Sequence, residues 1–559
     1  MLVLASQRPA DAGHAPWRAV TPILLVSVWL ASVGNLPLWH AVWPLPELAG
    51  GRGVLFAAAL FVGIVAAQVV LLSLLAWRWL LKPALLLFLL IAAGSSYFMW
   101  QYSAVIDATM MANVVHTDAR EVRDLLSWRL LLSIGVLALL PGWWLLRQPI
   151  PLRPWGAQAL RNLGAALLAA LVLLAVTLLA FQDLASLMRN HKQVRYLVNP
   201  LNTLYASGKL ASDRLTRVSG TVQPIGIDAR LGPTYVRTKA APLIVLVVGE
   251  TARAANFSLG GYARDTNPEL GRIAAEGPAL TYYRTMRACG TNTQVSLPCM
   301  FSALDREAFE RSHQPQENLL DVLQRAGLAV LWIDNQSGCK GLCDRVAHVD
   351  TFAQATPGLC AEGECFDEVM LAGLDARIAA LDAERRARGV VLVLHQMGSH
   401  GPAYFKRSPP AFKRFLPECT SNVLQDCARE QIVNAYDNTI VYTDHVLAAL
   451  VRWLAARAGR GAQDAALLYL SDHGESMGDN NLYLHGLPYM LAPGTQTRVP
   501  MLSWISQPMA QRLGLRLECL RQQADRPLSH DNLFHAMLGL ADVQTNLYRK
   551  DMDWFAACR

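Results

Sequence analysis

Five long apolar runs crowd the first third of the chain, at roughly 19–43, 53–77, 83–106, 130–146 and 163–182. A helix needs about 20 apolar residues to cross the hydrocarbon core of a bilayer. Four of the runs reach that length, and the fourth, nearer 17, ends beside Trp143 and Trp144, which suit the interface. The second and third runs hold no Lys, Arg, Asp or Glu. Asn35 and Pro37 predict a kink in the first. A cleaved signal peptide does not fit, because the runs keep coming and no small-residue cleavage site follows a short core. The expectation is a bundle of five transmembrane helices over 1–182, and the 53% hydrophobic content is explained by that bundle. The formal charge of +7 is spread without a dense basic stripe, which excludes nucleic acid as a partner.

The basic residues set the orientation. Arg8 and Arg18 precede the first run, Arg78 and Lys82 lie between the second and third, and Arg147, Arg153 and Arg161 lie between the fourth and fifth. The opposite loops are mixed, with Glu47 and Arg52 in one and Asp107, Asp118, Arg120, Glu121, Arg123 and Asp124 in the other. The positive-inside rule puts the N-terminus in the cytoplasm, so after five crossings the remainder lies outside. Residues 183–240 read as a basic connector, with nine Lys or Arg against Asp183, Asp213 and Asp228. Leu197, Leu201, Leu204 and Tyr205 are interleaved among them, a pattern that suits an anionic membrane surface or a solvated linker.

Residues 241–559 read as a globular α/β domain with a mostly parallel sheet. All ten cysteines fall here, as the couples Cys289/Cys299, Cys339/Cys343, Cys360/Cys365 and Cys419/Cys427, with Cys519 and Cys558 left over. An even number confined to the half already assigned outside the cytoplasm implies disulfides. A zinc site at Cys339 and Cys343 is the competing use, but no matching second couple completes it.

Three apolar strands end in side chains able to bind metal. Leu243–Val248 is followed by Gly249-Glu250-Thr251, 390–394 by His395-Gln396-Met397-Gly398-Ser399-His400, and 465–470 by Ser471-Asp472-His473-Gly474-Glu475. Ligands of open α/β sheets sit beyond the carboxyl ends of the strands, and carboxylates with imidazole suit zinc. The nucleophile candidate lies in Cys289-Gly290-Thr291-Asn292-Thr293, where a bridge between Cys289 and Cys299 would clamp the loop. A threonine hydroxyl needs a metal or base to become nucleophilic. The alternative is that Thr291 or Thr293 merely caps the next helix.

Together Gly249-Glu250-Thr251-Ala252-Arg253, the Cys-Gly-Thr-x-Thr loop, Gly398-Ser399-His400-Gly401-Pro402, Ser471-Asp472-His473-Gly474-Glu475, Tyr483-Leu484-His485-Gly486 and 529–535 resemble the lipid A phosphoethanolamine transferases. These include the mobile colistin-resistance enzymes and belong to the alkaline phosphatase/sulfatase superfamily. The resemblance spans essentially the whole chain. It implies Thr293 as the nucleophile and Glu250, Thr293, Asp472 and His473 as zinc ligands, with one tight site and room for a second, weaker one. It implies contacts with the donor from His400, His485, Ser337 and Lys340, and from Asn113, Thr117 and Glu121 in the long external loop. The i, i+4, i+8 spacing of those last three predicts one helical face. His395 is expected to sit one layer out, relaying a proton or making a structural hydrogen bond.

The resemblance further implies an inner-membrane, multi-pass enzyme, monomeric, with its catalytic domain in the periplasm. It would take phosphoethanolamine from phosphatidylethanolamine to lipid A through a phosphothreonine, modifying lipopolysaccharide and conferring polymyxin resistance. Relatives that modify core sugars share the same catalytic set, so that acceptor stays open. A sulfatase needs Cys or Ser in a C/S-x-P-x-R context, whereas Cys299 precedes Met300, Phe301 and Ser302. A glycerol-phosphate transferase would not carry so many cysteines, and an inactive scaffold would not keep Glu250, Thr293, Asp472 and His473 together.

Overall fold

The computed structural model describes residues 19–117, 119–150, 154–217, 221–312, 314–351, 356–361, 364–461 and 463–559, without the side chains of 119–121, 192 and 213–217. Arg8, Arg18, Asp118 and Arg153 lie outside the described residues, as do the side chains of Arg120 and Glu121. The chain divides into two compact units, Met1–Gln101 with Trp128–Ala206, and Tyr102–Ser127 with Ser207–Arg559.

Among the described residues of the first unit, five helices are long and apolar enough to cross a membrane: Val20–Val42, Gly50–Leu74, Leu81–Tyr102, Trp128–Arg147 and Trp155–Leu179. The first is broken by a 3-10 turn at Val33–Asn35, just before Pro37. Away from water, the polar groups freed by such a break must find partners within the protein. The Asn35 amide donates to the carbonyls of Leu30 and Asn199 at 2.7 Å and accepts from the Asn199 N–H at 2.7 Å. Gln68 Nε2 adds a bond to the Asn199 carbonyl at 3.1 Å. The fourth helix contains a π turn at Gly135–Leu139, immediately before Leu140–Arg147. Pro141 lacks an N–H and its ring crowds the carbonyl four residues back, and the widened turn makes room for it.

Residues 183–240, expected as one connector, divide between the units. Leu187 and Val194 are buried in the first unit, so this part of the segment is packed rather than draped.

The second unit is built on a mixed, mostly parallel sheet. Among the described residues its seven strands run, edge to edge, Leu280–Tyr283, Met501–Ile505, Gln463–Ser471, Ala241–Gly249, Val390–His395, Ala329–Asp334 and Ala347–Asp350. Met501–Ile505 alone runs against the direction of the other six strands. The central strand is buried on both faces, which is why it reads as an unbroken apolar run. Ile244, Leu246 and Val248 fill one core, and Leu243, Val245 and Val247 fill the other. Register then aligns the strand ends, with Gly249 opposite Ser471, and His395 opposite both Val248 and Asp334.

Five disulfides join the cysteines as Cys289–Cys299, Cys339–Cys343, Cys360–Cys365, Cys419–Cys427 and Cys519–Cys558. The last ties segments 39 residues apart. The couple Cys339 and Cys343 is thus a bridge, which removes it as a zinc site.

Residues 102–127, between the third and fourth membrane helices, belong to the second unit and dock on it. Helix Ala108–His116 is capped by Asp107, which accepts from the Met110 N–H at 2.8 Å, and it packs on helix Thr293–Met300. Asp124 is the anchor. Its carboxylate meets Arg407 Nη2 at 3.1 Å and pairs with Lys406, with the Asp124 and Arg407 side chains only 5% and 3% exposed. Arg407 also reaches Glu364 at 2.9 Å and donates from Nε to the His400 carbonyl at 3.1 Å. The clamp therefore links the loop to the strand-end segment that carries His400.

Two expectations follow. Removing Asp124 leaves Arg407 with Glu364 alone and takes away charge-assisted contacts to Arg407 and Lys406, at a cost of about 3 kcal/mol. Asp124→Ala should therefore speed amide exchange in Ala108–His116 by about 100-fold, and unchanged exchange would show that the anchor is idle. Loop-closure entropy over 39 residues gives the Cys519–Cys558 bridge about 4 kcal/mol, so Cys519→Ser/Cys558→Ser should lower the thermal midpoint of the full chain measurably.

Candidate active site

Glu250 and Asp472 follow neighbouring parallel strands directly, and the pairing of Gly249 with Ser471 forces them together. One ligand atom each from Glu250, Asp472 and His473 lies within 4.8 Å of the others, and all three residues are buried. His473 Nε2 stands 3.3 Å from Glu250 Oε1 and 3.4 Å from Asp472 Oδ2. Its other nitrogen contacts the Gly474 carbonyl at 3.0 Å, which aims Nε2 inward. Asp472 Oδ1 accepts from the N–H groups of Thr251 and His473, at 3.1 and 2.7 Å. Thr251 adopts a left-handed backbone, φ 59°, to present its N–H, and its hydroxyl donates to Glu250.

Thr293 opens helix Thr293–Met300, clamped by Cys289–Cys299. The capping alternative is settled by a third residue, because Asn292 caps the helix by accepting from the Val295 N–H at 3.0 Å. Thr291 donates its hydroxyl to the Leu487 carbonyl at 2.6 Å. The Thr293 hydroxyl is thereby left to the carboxylate, 3.1 and 3.2 Å from the two Glu250 oxygens and 3.4 Å from His473 Nε2. Gly290 permits this fold of the loop, since a Cβ there would stand 2.8 Å from the Ser296 nitrogen.

Asp472 Oδ2 is the telling atom. It is buried and has no hydrogen-bond partner among the described residues, an expensive state for a carboxylate oxygen unless a cation meets it. Burial and the charge of Glu250 push the Asp472 carboxyl upward. Burial also opposes charge on Glu250 and His473. For Glu250 it is outweighed by the hydrogen bond and charge of His473, with a smaller contribution from His395, so this carboxyl falls well below its usual range. For His473 it is outweighed by Asp472 and Glu250, so this imidazole rises well above its usual range. The pocket demands positive charge, and two carboxylates, an imidazole and a hydroxyl fit a zinc ion.

The histidines expected around the donor gather here too. The His485 ring centre lies 4.3 Å from that of His473 and 5.9 Å from that of His400. His485 Nδ1 is 3.4 Å from buried Glu475. Burial, with the charge of Arg407, brings His400 down to about 3 despite Glu250, so its imidazole is neutral. His395 Nδ1 is 2.9 Å from Asp334. Its Nε2 faces Glu250 at 4.0 Å and has no hydrogen-bond partner among the described residues. Gly398 lets the intervening turn pass close by, because a Cβ there would stand 2.7 Å from the Glu250 carbonyl oxygen.

Ser337 and Lys340 bond each other at 2.8 Å on the turn after strand Ala329–Asp334. Lys340 lines a cavity of about 290 Å³ with Pro298 and Ser302. The external loop departs from expectation. The helix ends at His116, and the extended Thr117 turns its hydroxyl back onto the Asn113 carbonyl at 2.8 Å. Asn113, Thr117 and Glu121 therefore do not share one continuous helical face, and Glu121 starts afresh on helix Ala119–Leu125. The loop still comes close to the histidines, for Met110 lies over Gly486, the neighbour of His485.

Sequence reasoning missed the orienting residues. Glu475 and Thr251 sat inside quoted motifs without a role, and Asn292 stood between the two threonines under discussion. Asp334 and Asp124 carried no local signal.

Comparison with known proteins agrees with this geometry. A profile described as Phosphoethanolamine transferase EptA/EptB matches residues 64–215, and a Sulfatase profile matches 242–543. The phosphoethanolamine transferase EptA of Escherichia coli K12 is 39% identical over 543 residues, 96% of each chain. The phosphatidylethanolamine transferase Mcr-1 of Escherichia coli is 36% identical over 94% of this chain and 96% of its own. The solved integral membrane EptA of Neisseria meningitidis superposes with a TM-score of 0.90 at 35% identity, covering 96% of this chain and 98% of that one. The protein joins a domain of the sulfatase fold to a unit with five candidate membrane helices among the described residues, and it belongs to the EptA/EptB phosphoethanolamine transferases.

Proposed function

We propose that the protein moves phosphoethanolamine from phosphatidylethanolamine to a phosphate of lipid A by way of a phosphothreonine at Thr293. The observation that carries this reading is the Thr293 hydroxyl, spared from capping by Asn292 and held against Glu250. Glu250, ionised by its surroundings, accepts that hydroxyl hydrogen and turns a lone pair of the oxygen away from itself. In the first half-reaction the Thr293 Oγ–P bond forms as the bond from phosphorus to the diacylglycerol oxygen breaks, and the leaving oxygen takes a proton. In the second, an oxygen of the lipid A phosphate attacks the phosphothreonine and restores the hydroxyl. The positive end of helix Thr293–Met300 favours the phosphoryl charge at its first residue. His400 and His485 supply hydrogen bonds to that group, the usual preorganised electrostatic strategy for phosphoryl transfer. Ser337, Lys340, Asn113, Thr117 and Glu121 receive the rest of the donor headgroup, and the Asp334–His395 pair holds the Glu250 side of the pocket.

Glu250, Thr293, Asp472 and His473 would hold one zinc ion tightly, with room for a weaker second ion near His400 and His485, and bound zinc supplies Lewis-acid charge to the threonine and phosphoryl oxygens. The catalytic unit works in the periplasm of a bacterial inner-membrane protein, N-terminus inside. The basic loops at Arg78–Lys82 and Arg147–Arg161 support that orientation, and five disulfides support an oxidising compartment. The protein acts as a monomer. An amine placed on a lipid A phosphate lowers surface negative charge and weakens binding of cationic peptides such as polymyxin.

Mass spectrometry of lipid A from cells producing the protein should show one added phosphoethanolamine, absent with Thr293→Ala. Persistence of the product in that variant would rule out the covalent route, and addition to core sugars alone would move the acceptor. Metal analysis of the purified full chain should find about one zinc. Glu250→Ala/Asp472→Ala should lose it, and equal zinc in that variant would rule out the ligand set.

A further inference from the structure

The first unit holds a second feature that the transfer reaction does not use. A cavity of about 520 Å³ lies at the bundle end where Gly50–Leu74 and Leu140–Arg147 finish and where Leu81–Tyr102 and Trp155–Leu179 begin. Its wall carries the cations Arg78 and Lys82, the indoles of Trp77, Trp79 and Trp155, and the amide of Gln148. Hydrogen bonds pin that wall. Gln158 and Asn162 both donate to the Ala76 carbonyl, at 3.2 and 3.0 Å, which fixes the loop bearing Arg78 to the last membrane helix. Lys82 Nζ donates to the Leu146 carbonyl at 2.9 Å, which ties the third membrane helix to the fourth. The rings of Trp77 and Trp155 stand 5.1 Å apart.

Among the described residues, no carboxylate pairs with either cation. Neither 53–106 nor 125–182 contains a single Asp or Glu, so these four helices and their short loops offer no carboxylate to the cavity. Arg78 is exposed and lies over the Trp79 ring at 5.0 Å, with its guanidinium edge left for an acceptor. Lys82 retains two N–H donors beyond its bond to Leu146. A phosphodiester matches this arrangement, because it brings one negative charge and oxygens that accept from guanidinium and ammonium together. Leu74, Leu75 and Leu80, exposed and close in sequence to the lining residues Ala76, Trp79 and Leu81, offer an apolar surface for chains attached to such a headgroup. Exposed Trp79 and Trp155, each 74% exposed, are suited to the depth at which headgroups lie.

We propose that this cavity binds the headgroup phosphate of an anionic phospholipid. Basic pockets between membrane helices are suited to such headgroups. A zwitterionic headgroup would add an ammonium beside Arg78 and Lys82 with no carboxylate among the described lining residues to receive it, so the site discriminates against lipids of the donor's charge type. It is a lipid-anchoring site and takes no part in the chemistry at Thr293.

Full-length protein reconstituted in mixed phosphatidylglycerol and phosphatidylcholine vesicles, then extracted in mild detergent, tests this by native mass spectrometry of retained lipid. The wild type should retain phosphatidylglycerol over phosphatidylcholine. Arg78→Gln/Lys82→Gln should lose that retention by on the order of tenfold. Arg52→Gln, whose cation already pairs with Asp183 at 2.9 Å, should not. Equal phosphatidylglycerol on the wild type and the double variant would overturn the proposal, as would equal retention of both lipids by the wild type. Displacement of the bound lipid by millimolar inorganic phosphate would reassign the cavity to small anions.

Discussion

Two carboxylates that emerge from adjacent parallel strands cannot avoid each other. Hydrogen bonding places Gly249 opposite Ser471, and the next residue on each strand is acidic and buried. Such a pair is unstable in a protein interior unless positive charge lies between the groups. Much of the surrounding structure can be understood as holding that demand in one geometry. Thr251 accepts a left-handed backbone, of the kind that costs about 1–2 kcal/mol for an L-residue, so that its N–H satisfies one Asp472 oxygen and leaves the other bare. The Gly474 carbonyl fixes one His473 nitrogen so that the other faces inward. Asn292 takes over helix capping, so the Thr293 hydroxyl has no competing backbone partner.

The same constraint explains how this chain differs in chemistry from the sulfatases whose fold it shares. Fold alone does not determine reaction, which depends on the groups placed at the strand ends. Here Cys299 is bonded to Cys289 and serves to clamp helix Thr293–Met300. The hydroxyl at the start of that helix takes the place beside the carboxylates.

What was legible from sequence followed from local rules. The membrane helices declared themselves by length, the central strands by their unbroken apolar runs, and the strand-end ligands by adjacency to those runs. The local disulfides paired as neighbours, and Cys519–Cys558 formed from the remaining two, which no local rule joins. Residues whose partner lies far along the chain were not legible. Asp334 matters because register puts it opposite His395, and Asp124 because Arg407 folds onto it from 283 residues away. The regular spacing of Asn113, Thr117 and Glu121 misled for a local reason, because the Thr117 hydroxyl bonds to the Asn113 carbonyl as the chain leaves helical geometry.

The placement of 102–127 with the catalytic unit has a physical rationale. This segment follows one membrane helix and precedes the next in sequence, and its helix Ala108–His116 packs on helix Thr293–Met300 of the same unit. A loop tethered only at its ends would sample many arrangements, and ordering it costs conformational entropy. The Asp124–Arg407 pair settles that entropy during folding. Because Arg407 also holds the His400 carbonyl, the clamp orders the loop and the histidine segment through one side chain. The loop and the histidine segment are thus ordered by the fold itself. That order rests on a buried ion pair whose two members contribute no atom to the carboxylate cluster.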